Sequence, residues 1–198
     1  MRNAERVCEI TGVEGSCPAA NYTMVAGALG FKASLQDILK ITHGTFGQSY
    51  FWRRMLKLGT EIKCISKNDY RKWPELAPPW LADFFAKRSD GGENFQDILA
   101  NEHFALENRA PTMNDLRELA SAGYEVEMMG DGWLIYGDKP KARLLHRVFI
   151  TGLHSGAVYF HDPALDGHEN YPGKPADITK ALSVDGTEIV GYKRHRSR

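Results

Sequence analysis

Three side chains stand out by their setting as able to do nucleophilic or proton-transfer chemistry: Cys17, His146 and Asp162. Cys17 lies in Gly15-Ser-Cys17-Pro18-Ala-Ala20, a flexible approach followed by a proline suited to a first helical turn and by small residues that permit close packing. A thiolate is the attacking form of cysteine, and unpaired amides at the positive end of a helix favour it. A cysteine opening an apolar helix is also the ordinary pattern of a small core residue. His146 sits in Leu144-Leu-His-Arg-Val-Phe-Ile-Thr-Gly152, which reads as a buried strand whose imidazole needs a partner. A turn around Ser155 and Gly156 follows, and then Ala157-Val-Tyr-Phe-His161 ends in Asp162 and Pro163. A hairpin with its tip near Ser155 makes residues 146 and 162 cross-strand neighbours. Asp162 could then orient and charge-stabilise His146, and His146 could take the proton from Cys17.

Other groupings compete. His154, His161, Asp162, Asp166, His168 and Glu169 crowd one region, and imidazoles with carboxylates are metal ligands, so a metal-dependent hydrolase centred on His161 and His168 is a rival reading. Their spacing fits no established ligand motif, and residues 164–172 read as an exposed loop. His43 and His103 fall on predicted helices, where a structural role is the simpler one. Tyr50, Phe51, Trp52, Arg53 and Arg54 could present an aromatic and basic patch to nucleic acid, but Phe51, Met55 and Leu58 fit a core face with the arginines in water. The basic tail Lys193 to Arg198 suits an acidic partner or, more simply, a solvated terminus.

The elements that must position these groups fall into two stretches. Cys17 to Leu29, stopped by Gly30, reads as a helix, and Ser34 can cap a second one carrying Leu35, Ile38, Leu39 and Thr42 to about Gly44. Phe46 to Leu58 is amphipathic, and Thr60 to Ile65 alternates like a strand. Pro74, Pro78 and Pro79 break the middle, Leu81 to Lys87 could be helical, and residues 94–107 read as helix. Thr112 opens a further helix, Met113 to Ala122, closed by Gly123. Beyond it Glu125 to Met129, Trp133 to Tyr136, Leu144 to Thr151, Ala157 to His161 and Thr187 to Lys193 are β-prone. Helices before strands predict an α+β fold, with a helical half over about 1–123 packed on an antiparallel sheet over about 124–198.

The 198 residues suit one domain, and the hydrophobic fraction of 42% suits a globular core. Lys plus Arg and Asp plus Glu are 25 each, so no molecular field draws the chain to nucleic acid or an anionic membrane. The start lacks the apolar core of a secretion signal, and no apolar run is long enough to cross a bilayer, so a cytoplasmic location is expected. Cys8, Cys17 and Cys64 are odd in number and widely spaced, which leaves at least one free thiol.

The run His146-Arg-Val-Phe-Ile-Thr-Gly152 with Val158-Tyr-Phe-His-Asp162-Pro163 resembles the histidine and aspartate strands of the double-glycine, bacteriocin-processing branch of the papain-like cysteine peptidases. Cys17-Pro-Ala-Ala with Met24 downstream resembles its cysteine helix. The order Cys, His, Asp and the helical-then-sheet layout also look like this family. The resemblance implies a papain-like fold and a thiol protease or related amide-bond acyl-transfer enzyme acting on a peptide or protein substrate. Cys17 would attack, His146 would serve as base then acid, Asp162 would orient it, and no cofactor would be needed. Two positions depart from the family pattern: Pro18 replaces the usual glycine, and the oxyanion-hole glutamine has Thr11 near its place. A catalytically silent papain-like peptide-binding or assembly module is therefore a further alternative.

Overall fold

The computed structural model describes residues 17–42, 47–73, 94–140, 144–163 and 169–195. Helix α1 spans Cys17–Ala28, and Gly30, at φ 79°, reverses the chain after it. In α2, Leu35–Thr42, Ser34 and Asp37 form a reciprocal cap, the Asp37 amide donating to Ser34 Oγ at 3.2 Å and the Ser34 amide to Asp37 Oδ2 at 3.0 Å. Helix α3, Gln48–Lys57, buries Phe51 and Trp52 fully, while Arg53 leaves the core to pair with Asp97. Phe51 and Trp52 are thus core residues, while Tyr50 is half-buried beneath the Arg53 guanidinium.

Strand β1, Thr60–Ser66, follows directly. The helix expected over 94–107 reduces to one turn, α4 at Gln96–Leu99, and the chain then enters strand β2 at Phe104–Asn108. Asn101 ends that helix: its side chain accepts from the His103 amide at 2.9 Å, a local turn that competes with helical bonding. His103 accordingly lies in a turn rather than on a helix. Helix α5, Met113–Ser121, opens with a capping box between Thr112 and Asp115 and leads to β3, Glu125–Asp131. Trp133 to Tyr136, expected as a strand, is instead mostly the helical turn α6, Gly132–Ile135. Asp131 accepts from the amides of Trp133 at 3.0 Å and Leu134 at 3.1 Å, and this cap overrides the β preference of the run. Strands β4, Leu145–His154, and β5, Ala157–His161, form the expected hairpin; β6, Tyr171–Gly173, α7, Pro175–Ser183, and β7, Glu188–Arg194, complete the described chain.

The seven strands make one sheet in the order β2-β1-β7-β3-β4-β5-β6. All neighbours are antiparallel except β1 and β2. The architecture is α+β, as expected, but the division into a helical and a sheet half is not clean: β1 and β2 come from the first half, and β7 inserts between β1 and β3. Each face of the sheet carries its own core. Phe149, Val190 and Tyr192 pack with Val25, Phe51 and Trp52 of α1 and α3, whereas Val148, Ile150, Met128 and Phe160 pack with Leu116 of α5 and Ile178 of α7. Among the described residues, no helix is long and apolar enough to cross a membrane.

Candidate active site

Side chains alternate along β4, so Arg147 and Phe149 project toward α1 and α3, while His146, Val148 and Ile150 project toward α5 to α7. His146 is thereby brought to the same side as the end of β5. Its Nε2 lies 2.8 Å from Oδ1 and 2.7 Å from Oδ2 of Asp162, with side-chain exposures of only 11% and 1%. The pairing register is not the one expected from equal distances to the hairpin tip. A bulge between Ile150 and Gly152 sets Phe149 opposite His161, so Asp162 comes level with Val148 and reaches His146 diagonally.

Two further residues shape this seat, and neither was singled out in the sequence. Tyr136, which follows α6, donates its phenol hydrogen to Asp162 Oδ2, and its ring packs edge-on against Phe160 at 5.8 Å and Tyr171 at 5.2 Å. Burial, and then the bond to the carboxylate, raise the Tyr136 pKa far above its ordinary value, so the phenol stays protonated. Gly132 lies against the strand: a Cβ there would stand 3.1 Å from His146 Cβ and 3.0 Å from Leu144 Cδ2. The lack of a side chain at 132 lets α6 lie close against the Cβ of His146 and the side chain of Leu144. A strand-pairing argument does not reach either residue, because both are brought in by the helical turn that the run 133–136 concealed.

Cys17 is the first residue of α1; its side chain lies outside the described residues, and so does Thr11. The course of α1 is nonetheless fixed by its neighbours. Asn21, fully buried, donates from Nδ2 to the Arg147 carbonyl at 3.0 Å, just beyond the point where β5 stops pairing with β4. Farther along, Thr23, Met24, Gly27 and Ala28 border a cleft whose other wall is Phe149, Ile150 and Thr151. Helix and strand therefore run in the same direction. Stepping back one turn from Asn21, about 6 Å, carries the backbone of α1 toward the start of β4, on the face of the sheet opposite the His146 side chain, so a thiol at the start of α1 would meet the imidazole only around the end of the strand.

On the α1 side of β4 the sheet buries a charged cluster. Arg147 Nη1 donates to Glu127 at 2.8 Å, Nη2 donates to Gln48 at 2.8 Å and to Glu188, and Tyr192 donates to Glu127 at 2.6 Å. Tyr70 donates to Glu188, and Trp52 Nε1 to the Tyr192 hydroxyl at 2.8 Å. Burial opposes the charge on Arg147, but Tyr22, Glu188 and Glu127 around it more than offset that, and its pKa is raised. Burial pushes the Glu127 carboxyl up despite Arg147. These groups brace the backbone on either side of Asn21's acceptor.

The proposed metal ligands do not converge among the described residues. His154 stacks on Tyr159 at 4.2 Å, His161 Nδ1 accepts from the Asn170 amide at 2.7 Å, and Asp162 is turned to His146. No group of three or more metal-ligating side chains occurs among the described residues, and Asp166 and His168 lie outside them. His43, the run Leu81 to Lys87 and the tail beyond His195 lie outside as well. The cleft beside α1, about 850 Å³, is walled chiefly by Met24, Ala28, Phe31 and Phe149, with His161, the residue before Asp162, at its border.

No family model and no curated protein matches the chain. Among solved structures, one from Bacillus anthracis provisionally described as a C39-like peptidase is similar over 43% of this chain and 49% of that chain, with 18% identity and a TM-score of 0.33. The match spans about half the length of that chain. The functional reading therefore rests on the geometry of the chain itself.

Proposed function

We propose that the chain is a papain-like cysteine peptidase or a related amide-bond acyl-transfer enzyme, with Cys17 as nucleophile, His146 as base then acid, and Asp162 as the group that orients His146. The observation that carries this reading is the buried imidazole held by both oxygens of one carboxylate, at the end of the strand toward which the first turn of α1 runs. Asp162 engages Nε2, so proton exchange with a thiol would run through Nδ1. The carboxylate fixes the tautomer and stabilises the imidazolium that forms when the thiol gives up its proton. The thiolate would add to the substrate carbonyl, and the imidazolium would return the proton to the leaving amine as the C–N bond breaks. Water, activated by the neutral imidazole, would then release the acid and restore the thiol.

The apolar cleft along α1 supports a peptide substrate, since it offers apolar wall residues beside the strand that bears His146. Incubation with a thiol-directed, peptide-mimicking electrophile followed by intact-mass analysis tests the assignment. Wild type should take one label that Cys17→Ala does not take, and equal labelling of the two proteins would sink the proposal. The oxyanion position favours a second reading, a silent peptide-binding module, because Thr11 offers no side-chain amide and loss of one such donor costs on the order of a hundredfold in rate. Tight peptide binding with no labelling of Cys17 would select that reading.

A further inference from the structure

The carboxylate of Asp162 is almost fully buried, and His146 and Tyr136, which both bond to it, come from different parts of the fold. His146 Nε2 sits astride both oxygens, and the Tyr136 hydroxyl donates to Oδ2. Tyr136 is placed by the close of α6. Its own amide donates to Trp133 O at 3.3 Å, the Gly137 amide donates to Leu134 O at 3.0 Å, and the Asp138 amide donates to Trp133 O at 3.0 Å. Gly137, at φ 77°, completes the turn against Asp177 of α7. The other end of α6 is fixed by the Asp131 cap and by the Gly132 amide, which donates to Leu144 O at 2.7 Å. The helical turn is thus clamped at both ends, and the same turn carries the glycine that touches His146 and the tyrosine that touches Asp162.

A hydrogen bond donated to a carboxylate disperses its charge, and that weakens its hold on a neighbouring imidazolium. We propose that Tyr136 is a positioning residue for the His146–Asp162 pair: its phenol holds Asp162 in the orientation that meets Nε2 and tempers the carboxylate's stabilisation of the protonated imidazole. The proposal rests on the acyl-transfer reading for its consequence in catalysis, but not for its effect on His146 itself. Among the described residues, the charged and titratable groups of the surrounding elements include Asp131 before α6, Asp177 and Lys180 on α7, His161 on β5 and Tyr171 on β6, in addition to Asp162.

The test is Tyr136→Phe, which keeps the ring on Phe160 and Tyr171 and removes only the hydroxyl. The titration midpoint of His146, read by NMR with the ring signals assigned through a His146→Asn variant, should rise by on the order of half a pH unit. In turnover, kcat should fall by about tenfold with KM nearly unchanged, and the acidic limb of the profile should move up with the midpoint. In an Asp162→Asn background, Tyr136→Phe should leave the midpoint where it is. Should Tyr136→Phe not fold, 3-fluorotyrosine at position 136, a stronger donor, should move the midpoint the opposite way. An unmoved His146 midpoint in the folded variant, or the same shift with and without the Asp162 carboxylate, would overturn the proposal. The midpoint is read without any chemistry at Cys17, so failure of the acyl-transfer reading would appear separately, as labelling that ignores Cys17→Ala.

Discussion

Replacing Arg147 with methionine removes the guanidinium from the buried cluster while keeping most of the side chain's length. Glu127 and Glu188, both with no exposed side-chain surface, then share a dry environment without their cation. Breaking a buried ion pair on one side typically costs 3–5 kcal/mol, because the remaining charge is uncompensated. For a chain of this size a kcal/mol moves the melting temperature by about 2–4 °C, so the loss should be roughly 6–20 °C. The penalty has a sign in pH. Burial already pushes the Glu127 carboxyl up against the pull of Arg147, so in the variant it should be held further above the ordinary range of about 4.3, and folding then favours its protonated form. The native state loses stability as pH rises from the unfolded value through the raised folded one, so the gap from wild type should be wide at pH 8 and narrow at pH 5. Thermal melts of the two proteins at both pH values read this directly. A gap below about 1 kcal/mol, or one equal at both pH values, would refute the view that Arg147 is what makes this cluster tolerable.

Asn21→Ala strands the Arg147 carbonyl and should cost about 1–3 kcal/mol in urea unfolding, with a fall in Cys17 labelling larger than the fall in stability explains. Gly132→Ala puts a methyl 3.1 Å from His146 Cβ; kcat should drop while the far-ultraviolet dichroism stays that of wild type. Asp115 is held at about 2, first by Arg109 and also by Thr112, against an unfolded value near 4. Its contribution to stability is therefore present above about pH 4 and lost as pH falls toward 2, on the order of 2 kcal/mol at most and less because Arg109 is half-exposed. Asp115→Asn should flatten that part of the stability–pH curve.

The strands that bear His146 and Asp162 were legible because β-branched and aromatic residues flank a turn at Ser155 and Gly156, and such a hairpin is local in sequence. The register within it was not, since the bulge at Thr151 falls in a strand that is also paired along its other edge with β3, a partner the hairpin sequence does not contain. Trp133 to Tyr136 has the composition of a strand, yet one aspartate before it turns the run into a helix. With that misreading went Tyr136 and Gly132, which lie against Asp162 and His146. β2 was hidden in a helix-like stretch because Asn101 breaks the helix only through a side-chain bond. The insertion of β7 between β1 and β3 pairs it with β1, more than a hundred residues away in sequence, and with β3, about sixty away, and no local pattern encodes it. The buried cluster was equally silent: Glu127, Arg147 and Glu188 each read as an ordinary polar residue in a strand.

The account stands on the coupling of a thiol at the start of α1 to the imidazole on β4. The most direct measurement is the pH dependence of alkylation at Cys17 by a small reagent, quantified by peptide mapping, in wild type and in His146→Ala. The account predicts that wild-type Cys17 reacts well below the ordinary thiol range near 8.5 and that His146→Ala removes that acidic reactivity. A profile that tracks one ionisation near 8.5 in both proteins would contradict it.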